Sequence, residues 1–215
     1  MPDRKNHGEI IFMTNCNNPY LMIIYKETIH FLSQQREHID TLLQQCLDGN
    51  QSAQLEVYNR YYKAMYNTAL RIIKQSDEAE DIMQESFLNA FTKLHTFKGE
   101  VTFGSWLKRI VINNSIYHYR KRSKKNEVAL EDVLHKVEDN EVDASGPHEF
   151  TELKAQKVME TMKRLKDNYR ISLTLYLIEG YDYEEICEIM NMSYANCRTT
   201  ISRAKESLRN KLIQA

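Results

Sequence analysis

Apolar residues recur at three- and four-residue steps along most of the chain, and short polar breaks cut that pattern into a succession of helices. A polar, mildly amphipathic stretch from Ser33 to Leu47 predicts a first helix, ended by a turn at Asp48-Gly49-Asn50. Leu55, Tyr58, Tyr62, Met65, Ala69 and Ile72 then share one face of a stronger helix. Asp77 followed by Glu80 has the spacing of a capping box, which predicts the next helix start. Ala79, Met83, Phe87, Ala90 and Leu94 form the buried face of that helix, and Asp81, Gln84, Glu85 and Asn89 its polar side. Phe97-Lys98-Gly99-Glu100 interrupts the period. A long helix resumes near Thr102, with Trp106, Ile110 and Tyr117 in phase, and runs into the basic end Arg120 to Lys125.

Residues 126–150 are acidic, contain Ser145-Gly146-Pro147 and lack a sustained apolar period, as a flexible linker would. Periodicity returns with Val158, Met162 and Leu165, then with Leu173, Leu175, Tyr176 and Ile178 in a second helix closed by Gly180. Two helices follow in close order. Asp182 caps the first through Glu185, with Ile186 and Ile189 as buried types. Asn191-Met192-Ser193 is a turn, and Tyr194 to Leu212 is a long basic helix. The expected fold is all-α: two small helical domains, 33–125 and 151–215, joined by the acidic linker. Residues 1–32 lack a clear period and read as an extension, disordered or arising from a misassigned start, with Met13 and Met22 as later starts.

The formal charge of -1 hides a segregated distribution. Residues 98–125 hold eight Lys or Arg against one acid, residues 126–152 nine acids against one Lys, and a further basic run follows Ser193. Cys16, Cys46, Cys187 and Cys197 form no CxxC pair, so neither a zinc site nor a disulfide framework is indicated. No apolar run approaches the roughly 20 residues needed to cross a bilayer. Reduced thiols and no membrane insertion point to the cytoplasm. The pattern calls for no metal and no cofactor.

A short capped helix, a turn and a long basic helix are the parts of a helix-turn-helix. In that motif the second helix enters the major groove. Asn196, Arg198, Thr199, Ser202 and Arg203 are the candidate readers, while Cys197, Ile201, Ala204 and Leu208 face the core. Arg donates two hydrogen bonds to a guanine edge, and Asn, Ser and Thr donate or accept. The competing account of such a helix is a solvated charged face.

The run from Ser193 to Arg209 resembles the end of region 4 in extracytoplasmic-function sigma factors of the sigma-70 family. Tyr183-Glu-Glu-Ile-Cys-Glu-Ile-Met190 is similar to the first motif helix there. The chain departs from the family's usual Gly-Thr-Val at Ala195-Asn196-Cys197, so the resemblance carries over the helix and not the identity of the bases read. Asp77 to Phe91 is similar to region 2.2. Phe97-Lys-Gly-Glu, with Phe103-Gly-Ser-Trp-Leu-Lys-Arg-Ile110 and Asn113, resembles regions 2.3 and 2.4. Both matches stand in the family's order and span about residues 42–212.

The resemblance implies a non-enzymatic promoter-recognition subunit that binds core RNA polymerase and promoter DNA. It is expected to be a monomer when free, with an anti-sigma factor as a further partner in many relatives. Residues 33–125 would be the region 2 bundle and 151–215 the region 4 helix-turn-helix. Asp81, Gln84, Glu85 and Asn89 would dock on the polymerase. The loop Phe97 to Thr102 would hold a base flipped out of the minus-10 element, with Phe97, Lys98 and Phe103 among the residues at that DNA and Phe103, like Trp106, either a wedge or a core residue. Arg109, Asn113, Arg120, Lys121 and Arg122 would grip the DNA there, and the five positions on the last helix would read the minus-35 element. A positive groove with a surface that replaces stacking is what single-stranded DNA requires.

Two rivals predict different chemistry. A helix-turn-helix regulator with an unrelated first domain would bind duplex without polymerase, yet has no reason to carry the Phe97 loop and the Trp106 helix. A metal-dependent hydrolase would use Glu78, Asp81, Glu85 and His95. The sequence has no HExxH, nucleophile elbow or phosphate-binding glycine loop, and first-turn acids suit the helix dipole without a catalytic role.

Overall fold

The computed structural model describes residues 28, 38–128 and 149–214, and every regular element among them is a helix. Most of the N-terminal extension, the predicted helix start at Ser33 and residues 129–148 of the linker lie outside the described residues. Helix α1 covers 38–47, α2 Gln51–Ile73 and α3 Ser76–Thr92; a 3-10 turn at Leu94–Thr96 precedes α4, Phe103–Val128. The later helices are α5 (Glu149–Lys163), α6 (Asp167–Leu173, continued as a π turn over Thr174–Ile178), α7 (Tyr183–Met190) and α8 (Tyr194–Gln214). Backbone contacts divide the chain into two units, residues 1–60 and 61–215.

In the first unit, α1 buries Leu42, Leu43 and Cys46 at helical spacing. The predicted turn follows: Gly49 takes a φ of +81°, and the Asn50 side chain accepts from the Ala53 amide at 3.1 Å, capping α2. Along α2 the buried stripe differs from the expected one. Ala53, Val57, Met65, Thr68, Ala69, Ile72 and Ile73 are inside, whereas Leu55 is 60% exposed. The stripe passes through Ala53 and Val57, on either side of Leu55 along the chain, and continues through the large Met65, Ile72 and Ile73.

In the second unit, α3 buries Ala79, Met83, Phe87 and Ala90 as expected, and adds Ile82 and Ser86. Its start is not the predicted box. The helix begins at Ser76, the N-cap is Gln75, and no side chain caps it. Arg122 of α4 ties this end down instead, donating to Gln75 Oε1, to Glu78 Oε2 at 2.6 Å and to the Ile73 carbonyl at 3.4 Å. Asp77 and Glu78 still lie in the first turn, where negative charge suits the dipole.

Helix α4 is capped by Thr102, whose Oγ1 accepts from the Ser105 amide at 3.2 Å. Its buried stripe is Phe103, Leu107, Val111, Ile112, Ser115 and Ile116. The predicted phase is therefore displaced: Ile110 is half-buried and Tyr117 is 62% exposed. Buried Ser86 accepts from Asn114 Nδ2 at 3.0 Å and donates to the Ile82 carbonyl at 2.6 Å, so the α3–α4 contact carries one satisfied polar link.

Met162 and Leu165 are buried as expected, and Ile171 to Leu175 is a continuous buried run. A normal helix would turn part of that run outward; the π turn widens the backbone there and keeps Thr174 and Leu175 inside. Gly180, with a φ of +78°, ends it. Charge also enters this core. Arg170 is 3% exposed and donates to the carbonyls of Arg71 and, at 2.9 Å, Ile72, the last turn of α2.

Because Ile72 is fully buried and Leu55 is not, Ile72→Ala lowers unfolding stability by about 2–5 kcal/mol. Leu55→Ala stays within about 0.5 kcal/mol of the parent. Urea denaturation followed by circular dichroism separates the two, and equal losses would contradict the α2 stripe described here.

Candidate nucleic-acid interface

The helix-turn-helix is built from α7 and α8, which pack against each other. Asp182 accepts from the Glu185 amide at 2.8 Å, and Glu185 Oε2 accepts from the Asp182 amide at 3.0 Å, a complete capping box. Asn191 adopts the left-handed conformation (φ 43°) that ends α7, and Met192 donates back to the Cys187 carbonyl at 3.0 Å. Ser193 then caps α8, accepting from the Asn196 amide at 3.4 Å. A tyrosine stack fixes both helix starts. Tyr183 lies 5.3 Å from Tyr176 and 6.0 Å from Tyr194, centroid to centroid, and Lys205 Nζ stands 4.1 Å over the Tyr176 ring.

Ile186, Ile189, Cys197, Ile201, Ala204 and Leu208 are buried, each where the sequence pattern put it. Asn196, Arg198, Thr199, Ser202 and Arg203 are all exposed on the other side of α8. Thr199 spends its hydroxyl proton on the Ala195 carbonyl at 2.8 Å and keeps acceptor capacity outward. The Cys197 thiol faces inward, donating to the Tyr183 carbonyl at 3.7 Å. Burial, then the neighbouring Cys187 thiol, pushes it up to about 11.

The other candidate surface surrounds the loop before α4. Gly99 takes a φ of +72°, which turns the chain between Phe97 and Thr102. Phe97, Phe103 and Trp106 pack as a trio with centroids 5.4 to 5.8 Å apart, and Tyr61 meets Phe103 at 5.4 Å. A Cβ on Gly104 would come within 3.0 Å of the Tyr61 ring, so only glycine admits this approach without displacement. Phe103 is 4% exposed and supports the loop from inside; Phe97 and Trp106 are half-buried.

The residues expected to grip the minus-10 element divide into distinct environments. Lys98, Asn113 and Lys121 are exposed. Arg122 is engaged at the α2–α3 corner described above. Arg109 donates to Glu188 Oε2 at 3.4 Å and lies 5.2 Å over the Tyr181 ring, and Arg120 donates to the Ile189 carbonyl at 3.3 Å. On α3, Asp81, Gln84 and Glu85 are exposed and Asn89 is half-buried. Gln84 donates to Glu80 at 3.2 Å, and Glu85 lies 3.2 Å from His118 Nε2.

Several contributors escaped the sequence reading. Leu88, one turn after Gln84 and Glu85, is 68% exposed, an apolar residue on a polar face. Its helical position relative to Gln84 was the available signal. Glu179 pairs with Arg71 and Lys108, and Asp167 with Lys74 and Arg170, two sets of ion pairs that leave no trace in the local sequence pattern. Among the described residues, no group of three or more His, Cys, Asp or Glu could hold a metal ion. No described helix is long and apolar enough to cross a membrane.

A capped recognition helix, a second basic helical surface and an all-helical frame define a DNA-binding transcription factor. The Sigma-70 region 2 family matches residues 57–125 and the Sigma-70 region 4 family residues 155–208. The chain is 31% identical to the ECF RNA polymerase sigma factor SigM of Bacillus subtilis over 154 residues, 72% of this chain and 91% of that protein. It is 27% identical to the ECF RNA polymerase sigma-E factor of Haemophilus influenzae over 179 residues, 80% and 93% of the respective chains. The sigma factor RpoE of Bartonella quintana, solved with the anti-sigma factor NepR, shares the fold with a TM-score of 0.52 and 22% identity over 73% of this chain and 94% of that one. The chain belongs to the sigma-70 family, in its extracytoplasmic-function group: a sigma factor that binds core RNA polymerase and directs promoter recognition and transcription initiation.

A thiol with a pKa of about 11 is roughly one part in a thousand thiolate at pH 8. Iodoacetamide at that pH therefore leaves Cys197 unmodified in the native protein and alkylates it fully in urea, as read by peptide mass spectrometry. Rapid native labelling would contradict the inward placement of this side chain.

Proposed function

We propose that residues 33–125 act as region 2 and residues 151–215 as region 4 of a non-enzymatic, cytoplasmic initiation factor that is a monomer when free. Asn196, Arg198, Thr199, Ser202 and Arg203 read the minus-35 element in the major groove. The observation that carries this assignment is their shared exposure on a capped helix whose opposite face is locked in the core. Lys98, Asn113 and Lys121, with Arg109 and Arg120, hold the minus-10 element. The glycine-turned loop over the Phe97, Phe103 and Trp106 trio receives an unpaired base, which offsets the few kcal/mol that unpairing costs. Arg122 acts at one remove, by fixing the end of α2 and the start of α3.

Asp81, Gln84, Glu85 and Asn89 dock on core polymerase, and Leu88 supplies the apolar contact that a polar helix face lacks. An exposed leucine among carboxylates and amides suits a protein partner better than DNA. The Bartonella relative was solved with an anti-sigma factor, which supports a partner of that kind here.

Runoff transcription with purified core polymerase, this protein and a pool of genomic promoter fragments tests the assignment, with core alone as control. Protein-dependent transcripts are expected, and their start sites locate both elements. If the protein binds duplex DNA yet yields neither core binding nor transcripts, the duplex regulator reading replaces this one. Arg198→Ala is expected to cost about 1–3 kcal/mol of promoter discrimination at one minus-35 position. Leu88→Ala weakens core binding in a pull-down and leaves duplex affinity unchanged.

A further inference from the structure

The helix-turn-helix holds two cysteines against each other across the contact between its helices. Cys197, one turn into α8, is 1% exposed, and its thiol donates to the Tyr183 carbonyl at 3.7 Å. Tyr183 stands one helical turn before Cys187 on α7, and the Cys187 thiol is a second hydrogen-bonding neighbour of Cys197. The turn between the helices pins both backbones: the Met192 amide donates to the Cys187 carbonyl at 3.0 Å, and the Cys197 amide to the Ser193 carbonyl at 2.9 Å. The tyrosine stack holds the same two helix starts. Neither cysteine is among the five reading positions. Among the described residues, no third His, Cys, Asp or Glu joins them in a metal-binding group. Two facing thiols without a third ligand are suited to oxidation as a pair.

We propose that Cys187 and Cys197 form a peroxide-responsive dithiol site whose oxidation to a disulfide weakens reading of the minus-35 element. The proposal rests on the minus-35 assignment made under the proposed function.

Cys187 is half-buried and Cys197 fully so, which makes Cys187 the side chain that meets the oxidant. Its sulfur attacks one oxygen of hydrogen peroxide, the O–O bond breaks, and Cys187 becomes a sulfenic acid with release of water. Cys197 then attacks the Cys187 sulfur and the S–O bond breaks. The hydroxide that leaves takes the Cys197 proton as a second water. Two thiols thus lose two electrons and two protons, and one hydrogen peroxide becomes two waters. Burial and the Cys187 thiol push the Cys197 thiol up to about 11, so its thiolate is scarce; attack within a hydrogen-bonded pair offsets that scarcity through the effective concentration of an intramolecular reaction.

The consequence for DNA follows from position. Sulfurs joined at about 2.05 Å are closer than two unbonded thiols can stand. The bond therefore draws the first turns of α8 toward the middle of α7, and Asn196 and Arg198, which flank Cys197, move with it. Paired hydrogen bonds to a base edge depend on the placement of both donors and acceptors, so this shift acts on the residues that read sequence.

The test uses the full chain, oxidised alone with hydrogen peroxide and desalted before core polymerase is added. Peptide mass mapping reports the bond, a gel shift with the pooled genomic promoter fragments reports duplex binding, and runoff transcription reports initiation. The expected result is a peptide pair linked through Cys187 and Cys197, with duplex affinity and transcript yield lowered about tenfold or more and both restored by dithiothreitol. Cys187→Ser, and Cys197→Ser with a hydroxyl that still donates to the Tyr183 carbonyl, are expected to bind and transcribe equally before and after peroxide. Both variants keep Cys16 and Cys46, so their resistance separates this site from oxidation elsewhere. Absence of the linked peptides would overturn the proposal, as would a linked protein that binds and transcribes like the reduced one, or an oxidative loss that persists in both serine variants. Failure of the minus-35 assignment looks different: the reduced protein then neither shifts the fragments nor yields transcripts, while mapping still reports whether the bond forms.

Discussion

The last turn of α2 leaves carbonyl oxygens that no helical amide can reach, and two arginines from distant parts of the chain supply the missing donors. Arg122, near the basic end of α4, takes the carbonyl of Ile73 together with Gln75 and Glu78; Arg170, from α6, takes those of Arg71 and Ile72. A helix carboxyl end also carries partial negative charge, so a guanidinium there answers both the hydrogen-bond deficit and the dipole. Arg122 thereby sets the corner between α2 and α3, and the direction of α3 sets the face on which Asp81, Gln84, Glu85 and Leu88 stand. Arg170 brings the second half of the chain to the same point. The face proposed to meet polymerase and the surfaces proposed to meet DNA are both referred to one helix end.

The cations of α4 illustrate how poorly a charge count assigns roles. The basic end reads as one DNA-gripping cluster in sequence, and the structure separates it. Lys121 points to solvent, Arg120 reaches the α7 backbone, and Arg122 is committed to the α2–α3 corner. Only distance and burial distinguish a cation that can release counterions to a phosphate from one already satisfied by protein oxygens.

The helix-turn-helix was legible almost residue by residue, because its signals are local. Asp182 and Glu185 close their capping box within one turn, and the apolar period from Cys197 to Leu208 is undisturbed. The first domain was legible in order and less so in phase. Asp77 and Glu80 have capping spacing, yet Arg122, 47 positions beyond Gln75, supplies the contact that fixes this helix start. Tyr117 fits the α4 period by size, but Ile116 and Ser115 fill the space against the core and leave it outside. Long-range partners leave little trace in periodicity.

Glu179 shows why its ion pairs were harder still to see. In sequence it stands between an apolar run and a glycine, where an acid at the surface end of a helix is unremarked. The π turn over Thr174–Ile178 changes its direction: the added residue per turn keeps Leu173, Thr174 and Leu175 inside and carries Glu179 around to meet Arg71 and Lys108. A carboxylate so enclosed is tolerable only with cations on both oxygens, since an unpaired buried charge costs several kcal/mol. Its burial and its pairing are therefore one property, and both depend on the two helical segments remaining together.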